Sequence, residues 1–165
     1  MEIDNHTDTT ALESNFLLIH DFGRSVDVSW WDTIFGSVEC TTISGAISYD
    51  NLISGKVSLL VYQQAIHCPR LTSRLMCPMQ SRMIEVRINE LPKFLAEYPD
   101  DQTHGIIVDD PLNPNEPLVS ALLLKGITSY FPYRNPKTSE CEDESIPHIY
   151  MIGKTPMWEP SETSF

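Results

Sequence analysis

The stretch Ile3-Asp4-Asn5-His6-Thr7-Asp8-Thr9-Thr10-Ala11-Leu12 decides how the rest of this chain is read. An apolar residue leads into Asp4, short polar residues with turn chemistry follow, and apolar residues return at Ala11 and Leu12. That order predicts strand, tight loop, strand. A carboxylate at the start of such a loop can share a proton with a second carboxylate and activate water for attack on an amide carbonyl. One loop supplies one acid, so the second comes from elsewhere in the chain or from a second copy of it. Segments of this composition are also found simply as turns. Asn5-His6-Thr7 fits the glycosylation acceptor pattern as well, a reading set aside because no signal peptide is read ahead of it.

Composition narrows the function classes. At 165 residues with 41% apolar content, a single domain with a real core is expected. The net charge is −12, from 23 acids against 11 Lys and Arg, which argues against a surface that neutralises nucleic-acid phosphates. There is no glycine-rich phosphate loop. No run approaches the length of a membrane span and no charged-then-apolar leader is read at the start, so the expected location is intracellular, in the cytoplasm. Cys40, Cys68, Cys77 and Cys141 show no Cys-x-x-Cys spacing, and His67-Cys68 with Cys77 fits no zinc pattern. Buried, reduced thiols and no bound metal are the expectation.

The first of twelve prolines is Pro69, so the first 68 residues are free to form an uninterrupted sheet, and shorter elements are expected after them. Phe16-Leu17-Leu18-Ile19 is a compact apolar run fit for a buried strand, and Val26-Asp27-Val28-Ser29-Trp30 alternates as a half-exposed one. Trp30 and Trp31 read as packing residues rather than a ligand platform. The clearest hairpin joins residues 43–49 to residues 57–62 through a long turn containing Asp50-Asn51 and Ser54-Gly55, whose tip is expected to be mobile. A helix is predicted over residues 90–98, with Leu91, Phe94, Leu95 and Tyr98 on a core-facing stripe, Pro92 in its first turn and Pro99 at its stop. A second hairpin pairs Gly105-Ile106-Ile107-Val108 with the run that opens at Leu118, and Gly126 to Phe131 adds a further strand. Asp100-Asp101 and Asp109-Asp110 read as solvated turn acids. From Pro132 the chain is polar and acidic and reads as a flexible connector, with residues 146–149 and 157–160 able to clip back onto the body.

The decamer resembles the active-site loop of retropepsin-like aspartic proteases, an apolar strand followed by Asp, Ser or Thr, Gly, Ala, Asp or Ser, and Thr. It is closer still to a branch of copia-type retrotransposon Gag-Pol polyproteins read as Asp-Ser-His-Ala-Asp-Thr. The resemblance implies that Asp4 is the catalytic carboxylate. Asn5 then takes the hydroxyl position, His6 the glycine position and Thr7 the alanine position, while Asp8 and Thr9 match outright. Farther on, Arg74-Leu75-Met76-Cys77-Pro78-Met79-Gln80-Ser81 is similar to the copia-type string Asn-Leu-Leu-Ser-x-x-Gln-Leu. In that family the apolar pair before a short helix threads behind the active-site loop, a role that falls to Leu75 and Met76. The family also closes a mobile hairpin over its peptide, and the resemblance makes residues 43–62 the candidate, with a plain structural hairpin as the other reading of the same residues.

The combined expectation is a mainly β fold, a small retropepsin-like barrel or sandwich with hairpins and one or two short helices. Residues 1–131 would form the domain and 132–165 an acidic, proline-containing extension. The implied activity is that of an aspartic endopeptidase acting as a homodimer on a polypeptide, with one Asp4 from each copy and no cofactor, metal, nucleic acid or membrane. Asn5, His6, Thr7, Asp8 and Thr9 would support the loop, with Leu75 and Met76 behind it. A second reading, suggested by the departures at Asn5, His6 and Thr7, is an inactive retroelement remnant that serves as a dimerisation or peptide-binding module.

Overall fold

The computed structural model describes residues 1–3, 10–28, 37–52, 54–71, 73–110, 113 and 117–152. Its strands in chain order are β1 (Glu2–Ile3), β2 (Ala11–Leu12), β3 (Leu17–Val28), β4 (Val38–Asp50), β5 (Val57–His67), β6 (Leu75–Met76), β7 (Arg87–Asn89), β8 (Gly105–Val108), β9 (Leu118–Ala121), β10 (Leu123–Lys125), β11 (Thr128–Tyr130) and β12 (His148–Ile152). Two short helices, α1 (Pro78–Met83) and α2 (Thr138–Cys141), complete it. The fold is mainly β, as the sequence predicts. Among the described residues no helix is long and apolar enough to cross a membrane.

The large sheet runs β10-β11-β1-β6-β2-β5-β4-β3. The second edge of β5 is divided between two parallel neighbours, β2 beside Ile66 and His67 and β12 beside Leu59 to Tyr62. A smaller antiparallel sheet has the order β7-β8-β9. One apolar core serves both sheets, joining Leu12, Ile47 and Tyr62 to Ile88, Ile106 and Met151. Burial of such side chains is what stabilises a chain with so many short strands, at about 1.5–3 kcal/mol for each large aliphatic.

The hairpin of β4 and β5 lies inside this sheet. Alternation would leave one face of β4 polar and solvated, yet every residue from Thr42 to Tyr49 is buried. Its two serines have partners, as buried groups require: the Ser44 hydroxyl donates to Gln63 Oε1 (2.7 Å) and the Ser48 hydroxyl to Glu140 Oε2 (3.0 Å). The turn is tied down as well. Asn51 Nδ2 donates to the Val119 carbonyl (2.8 Å), Asn51 Oδ1 accepts from the Ser54 amide (3.0 Å), and Gly55 takes the left-handed conformation (φ 71°) that a side chain would resist. The 43–62 hairpin is therefore central sheet and not the cover expected from the sequence.

Three other expectations are corrected. Phe16 packs on the core, its ring lying so close over Gly45 that a Cβ there would meet it at 2.7 Å. Leu17, Leu18 and Ile19, expected to be buried, are 40%, 53% and 53% exposed. They belong to β3, the last strand in the sheet order, where among the described residues only β4 pairs with it. The helix predicted over 90–98 shrinks to a single 3-10 turn, Lys93–Leu95, with Leu91, Phe94, Leu95 and Tyr98 exposed. Pro92 sits at ψ 141°, an extended conformation, and Pro99 follows closely; the segment between is too short to offset helix nucleation without docking a face.

Residues 132–152 are no flexible connector. Arg134 bridges to Ser48 through paired backbone hydrogen bonds, α2 follows, and β12 enters the large sheet with Ile149 and Met151 in the core. Ile149 and Met151 thus share one core with strands that precede residue 131. Trp30, Trp31 and residues 153–165 lie outside the described residues.

Candidate functional site

The structure brings the two quoted motifs together through β6. Leu75 and Met76 pair in parallel with Glu2 and Ile3, and Leu75 pairs antiparallel with Ala11 on the opposite edge. The strand that precedes Asp4 and the strand that follows Thr9 therefore lie on either side of the Leu75-Met76 strand. Asp4, Asn5, His6, Thr7, Asp8 and Thr9 themselves lie outside the described residues, so the site is built from the residues that hold the two ends of that segment.

Sequence makes β6 suited to a central position. Met76 is fully buried in the main core and Leu75 half-buried. Pro78 then opens α1, where its missing N–H costs nothing, and the helix turns Gln80 and Ser81 inward. Gln80 acts on the far end of the loop segment: the Thr10 amide donates to Gln80 Oε1 at 2.7 Å. The Thr10 hydroxyl in turn accepts from the Cys77 amide at 3.1 Å. Thr10 is wholly buried, and its carbonyl accepts from the Ile66 amide at 3.0 Å, so three elements converge on the residue that ends the segment.

The near end is held as firmly. The Glu2 amide donates to the Arg74 carbonyl (2.9 Å), the Met1 amine donates to the Phe131 carbonyl (2.9 Å), and the Phe131 amide returns a bond to the Met1 carbonyl (3.0 Å). Burial, and then the neighbouring Arg74 charge, push the amine down to about 5. Arg74 has a buried side chain whose guanidinium carbon lies 3.9 Å from the centre of the Tyr133 ring, with Glu13 Oε1 3.3 Å from Nε. Burial lowers the guanidinium pKa, and Tyr133 and Glu13 oppose that shift. A planar cation stacked on a ring and paired with one carboxylate is a workable way to keep a charge inside a sheet.

Sequence reasoning named Leu75 and Met76 for this position but passed over Thr10, Cys77 and Gln80. The signal for Gln80 was present, because it falls on the Gln of the copia-type string. The Thr10 role depends on a hydrogen bond spanning 70 residues, which no local pattern reveals. What the arrangement can do chemically is hold a short, acid-bearing segment by both ends against a buried strand and a helix start.

The hairpin with an exposed strand is the one made by β3 and β4. Its strands pair from Leu17 with Ala46 out to Val28 with Val38, and β3 is exposed along most of its length. Its outer connection, residues 29–36, lies outside the described residues. Comparison with known proteins gives no family model that matches, and no significant match to a curated protein or to a solved structure.

Proposed function

We propose that this chain is an aspartic endopeptidase unit of retroelement origin, working inside the cell as a homodimer on unfolded or extended polypeptide. The observation that carries the reading is the position of β6: Leu75 and Met76 lie between the strands that lead into and out of the segment bearing Asp4. In the proposed dimer the two Asp4 carboxylates meet on the two-fold axis and share one proton, since two adjacent carboxylates cannot both stay ionised cheaply. The ionised member takes a proton from a water, the water oxygen attacks the peptide carbonyl, and the protonated member assists and then supplies the proton to the leaving amide nitrogen. Asn5, His6, Thr7, Asp8 and Thr9 shape the loop, with Leu75, Met76, Thr10 and Gln80 as its support. The β3–β4 hairpin, rather than the buried 43–62 hairpin, is the part that covers the substrate.

The test compares the purified protein with Asp4→Asn, on an unfolded protein at mildly acidic pH, with and without a transition-state inhibitor of aspartic proteases. The expected result is inhibitor-sensitive cleavage that falls roughly 10²–10⁴-fold in Asp4→Asn, the usual worth of a positioned acid-base group. Equal cleavage by both proteins removes Asp4 from the mechanism. No cleavage by either, with a dimer in sedimentation, selects the remnant that only dimerises or binds peptide. A strict monomer overturns the dimeric active unit.

A further inference from the structure

Cys40 and Cys68, read from the sequence as unrelated scattered thiols, are cross-strand neighbours. Thr41 on β4 pairs with His67 on β5, so the antiparallel register carried one step outward sets Cys40 opposite Cys68. The type of pair follows from the backbone. The Ile66 and Cys68 amides donate to the Thr10 and Leu12 carbonyls on the other side, so residues 66 and 68 turn their polar groups away from β4. Cys40 and Cys68 thus occupy a non-hydrogen-bonded position, where facing Cα atoms are about 4.5 Å apart and side chains come closest. That separation lies at the short end of the roughly 4.4–6.8 Å that a disulfide spans. The side chains share one small apolar cluster with Ile66, covered by Val28, Val38 and Leu71. Both cysteines are free and buried.

We propose that Cys40 and Cys68 form a redox-sensitive dithiol, a modification site that closes to an intramolecular disulfide by exchange with a small-molecule disulfide. The step balances as follows. On local opening, one cysteine loses its proton and attacks the small disulfide, breaking its S–S bond, releasing one thiolate and forming a mixed disulfide. The second cysteine, deprotonated in turn, attacks the protein sulfur of that mixed bond and expels the second thiolate. Two protein thiols are oxidised, one small disulfide is reduced to two thiols, and the two protons pass to the departing thiolates.

Burial, and then contact with Cys68, push the Cys40 thiol up to about 12, which keeps the closed pair in the unreactive thiol form. The site therefore responds to a sustained oxidising poise that reaches it through opening of the sheet end. Opening is local, because Pro69 and Arg70, just beyond Cys68, are exposed, and Cys40 is two residues from Val38, the first residue of β4. Closure ties the start of β4 to the end of β5 near the outer end of the β3–β4 hairpin, since Cys40 also pairs with Val26 on β3. The inference does not depend on the proposed peptidase activity.

The experiment uses the full chain carrying Cys141→Ser, which removes the half-exposed thiol that could link two molecules. The folded protein is equilibrated with mixtures of oxidised and reduced glutathione, quenched with acid, unfolded, alkylated and mapped by mass spectrometry. The expected product is two hydrogens lighter than the dithiol, with the peptides of residues 40 and 68 joined and Cys77 alkylated. Its melting temperature should rise by roughly 5–10 °C, reversibly with a dithiol reductant and not in a further Cys40→Ser variant. Alkylation of both Cys40 and Cys68 after exposure to excess oxidised glutathione overturns the proposal, as does a bridge to Cys77. The map is read with both thiols present, so a Cys40→Ser chain that fails to fold leaves the result intact.

Discussion

Two hairpins share strand β4 and differ in almost every physical respect. The inner one, β4 with β5, is buried on both faces, flanked by β3 on one side and by β2 and β12 on the other. The outer one, β3 with β4, places Leu17, Leu18 and Ile19 at the surface on the last strand of the sheet. Their sequences do not announce this difference, since 16–19 is more continuously apolar than 43–49. What separates them is the number of neighbours each strand acquires. An edge strand with an apolar surface and bulged pairing, as β3 has near Ile19 and again between Asp21 and Ser25, is the part of a sheet most able to move or meet another chain.

The strongest way to break this comparison is to cut into the inner hairpin. Ile47→Ala removes a fully buried side chain from β4 and should destabilise the fold by about 2–5 kcal/mol, read as a lower urea midpoint. A cost under about 0.5 kcal/mol would mean that the centre of the sheet is loosely packed.

Next in size is the clamp on the β4 end of that hairpin. Arg134 pairs bidentately with Asp50 (both 2.8 Å) and with Glu140 (2.6 and 2.8 Å). Hydrogen bonds from Arg134 hold the Glu140 carboxyl at about 2, against an ordinary value of 4.5. A depressed carboxylate contributes stability that is complete above the ordinary value and disappears as pH falls through the folded one. The native protein should therefore lose on the order of 2 kcal/mol between about pH 4.5 and 2, after allowance for the partly exposed Arg134. Urea midpoints measured across that window should fall in the native chain and change less in Glu140→Gln.

Asn51→Ala tests whether the inner turn is held or merely short. Loss of its bonds to Val119 and Ser54 should cost about 1–2 kcal/mol and speed amide exchange at Ser54 and Gly55. The smallest effect sharpens the other side of the comparison. Leu18→Ser on exposed β3 should shift stability by under about 0.5 kcal/mol, and if the outer hairpin covers substrate it should raise KM for a peptide substrate while the urea midpoint stays unchanged.

Much of the architecture was legible in local sequence because it rests on local patterns. Alternation and turn residues marked β4 with β5 and β8 with β9, whereas the apolar pair and short helix at β6 and α1 were expected only from the likeness of residues 74–81 to the copia-type string. The stripe of Leu91, Phe94, Leu95 and Tyr98 was equally periodic and misled, because periodicity reports which side chains could share a face, not whether anything covers it. The acidic stretch after Pro132 misled in the opposite direction, since Glu140 is buried on Arg134 and Ser48, while the return of residues 146–149 to the body was expected and β12 makes it.

The sequence alone determined a mainly β chain, acidic, with an Asp-bearing polar segment near its start and an apolar pair some 70 residues later. Only the tertiary structure decided that the pair lies between the strands flanking that segment, that β3 is an exposed last strand, and that Cys40 comes opposite Cys68. The reason is that strand order is chosen by burial and hydrogen bonding between segments far apart in the chain, and composition or period within one segment carries no record of which neighbour it will meet.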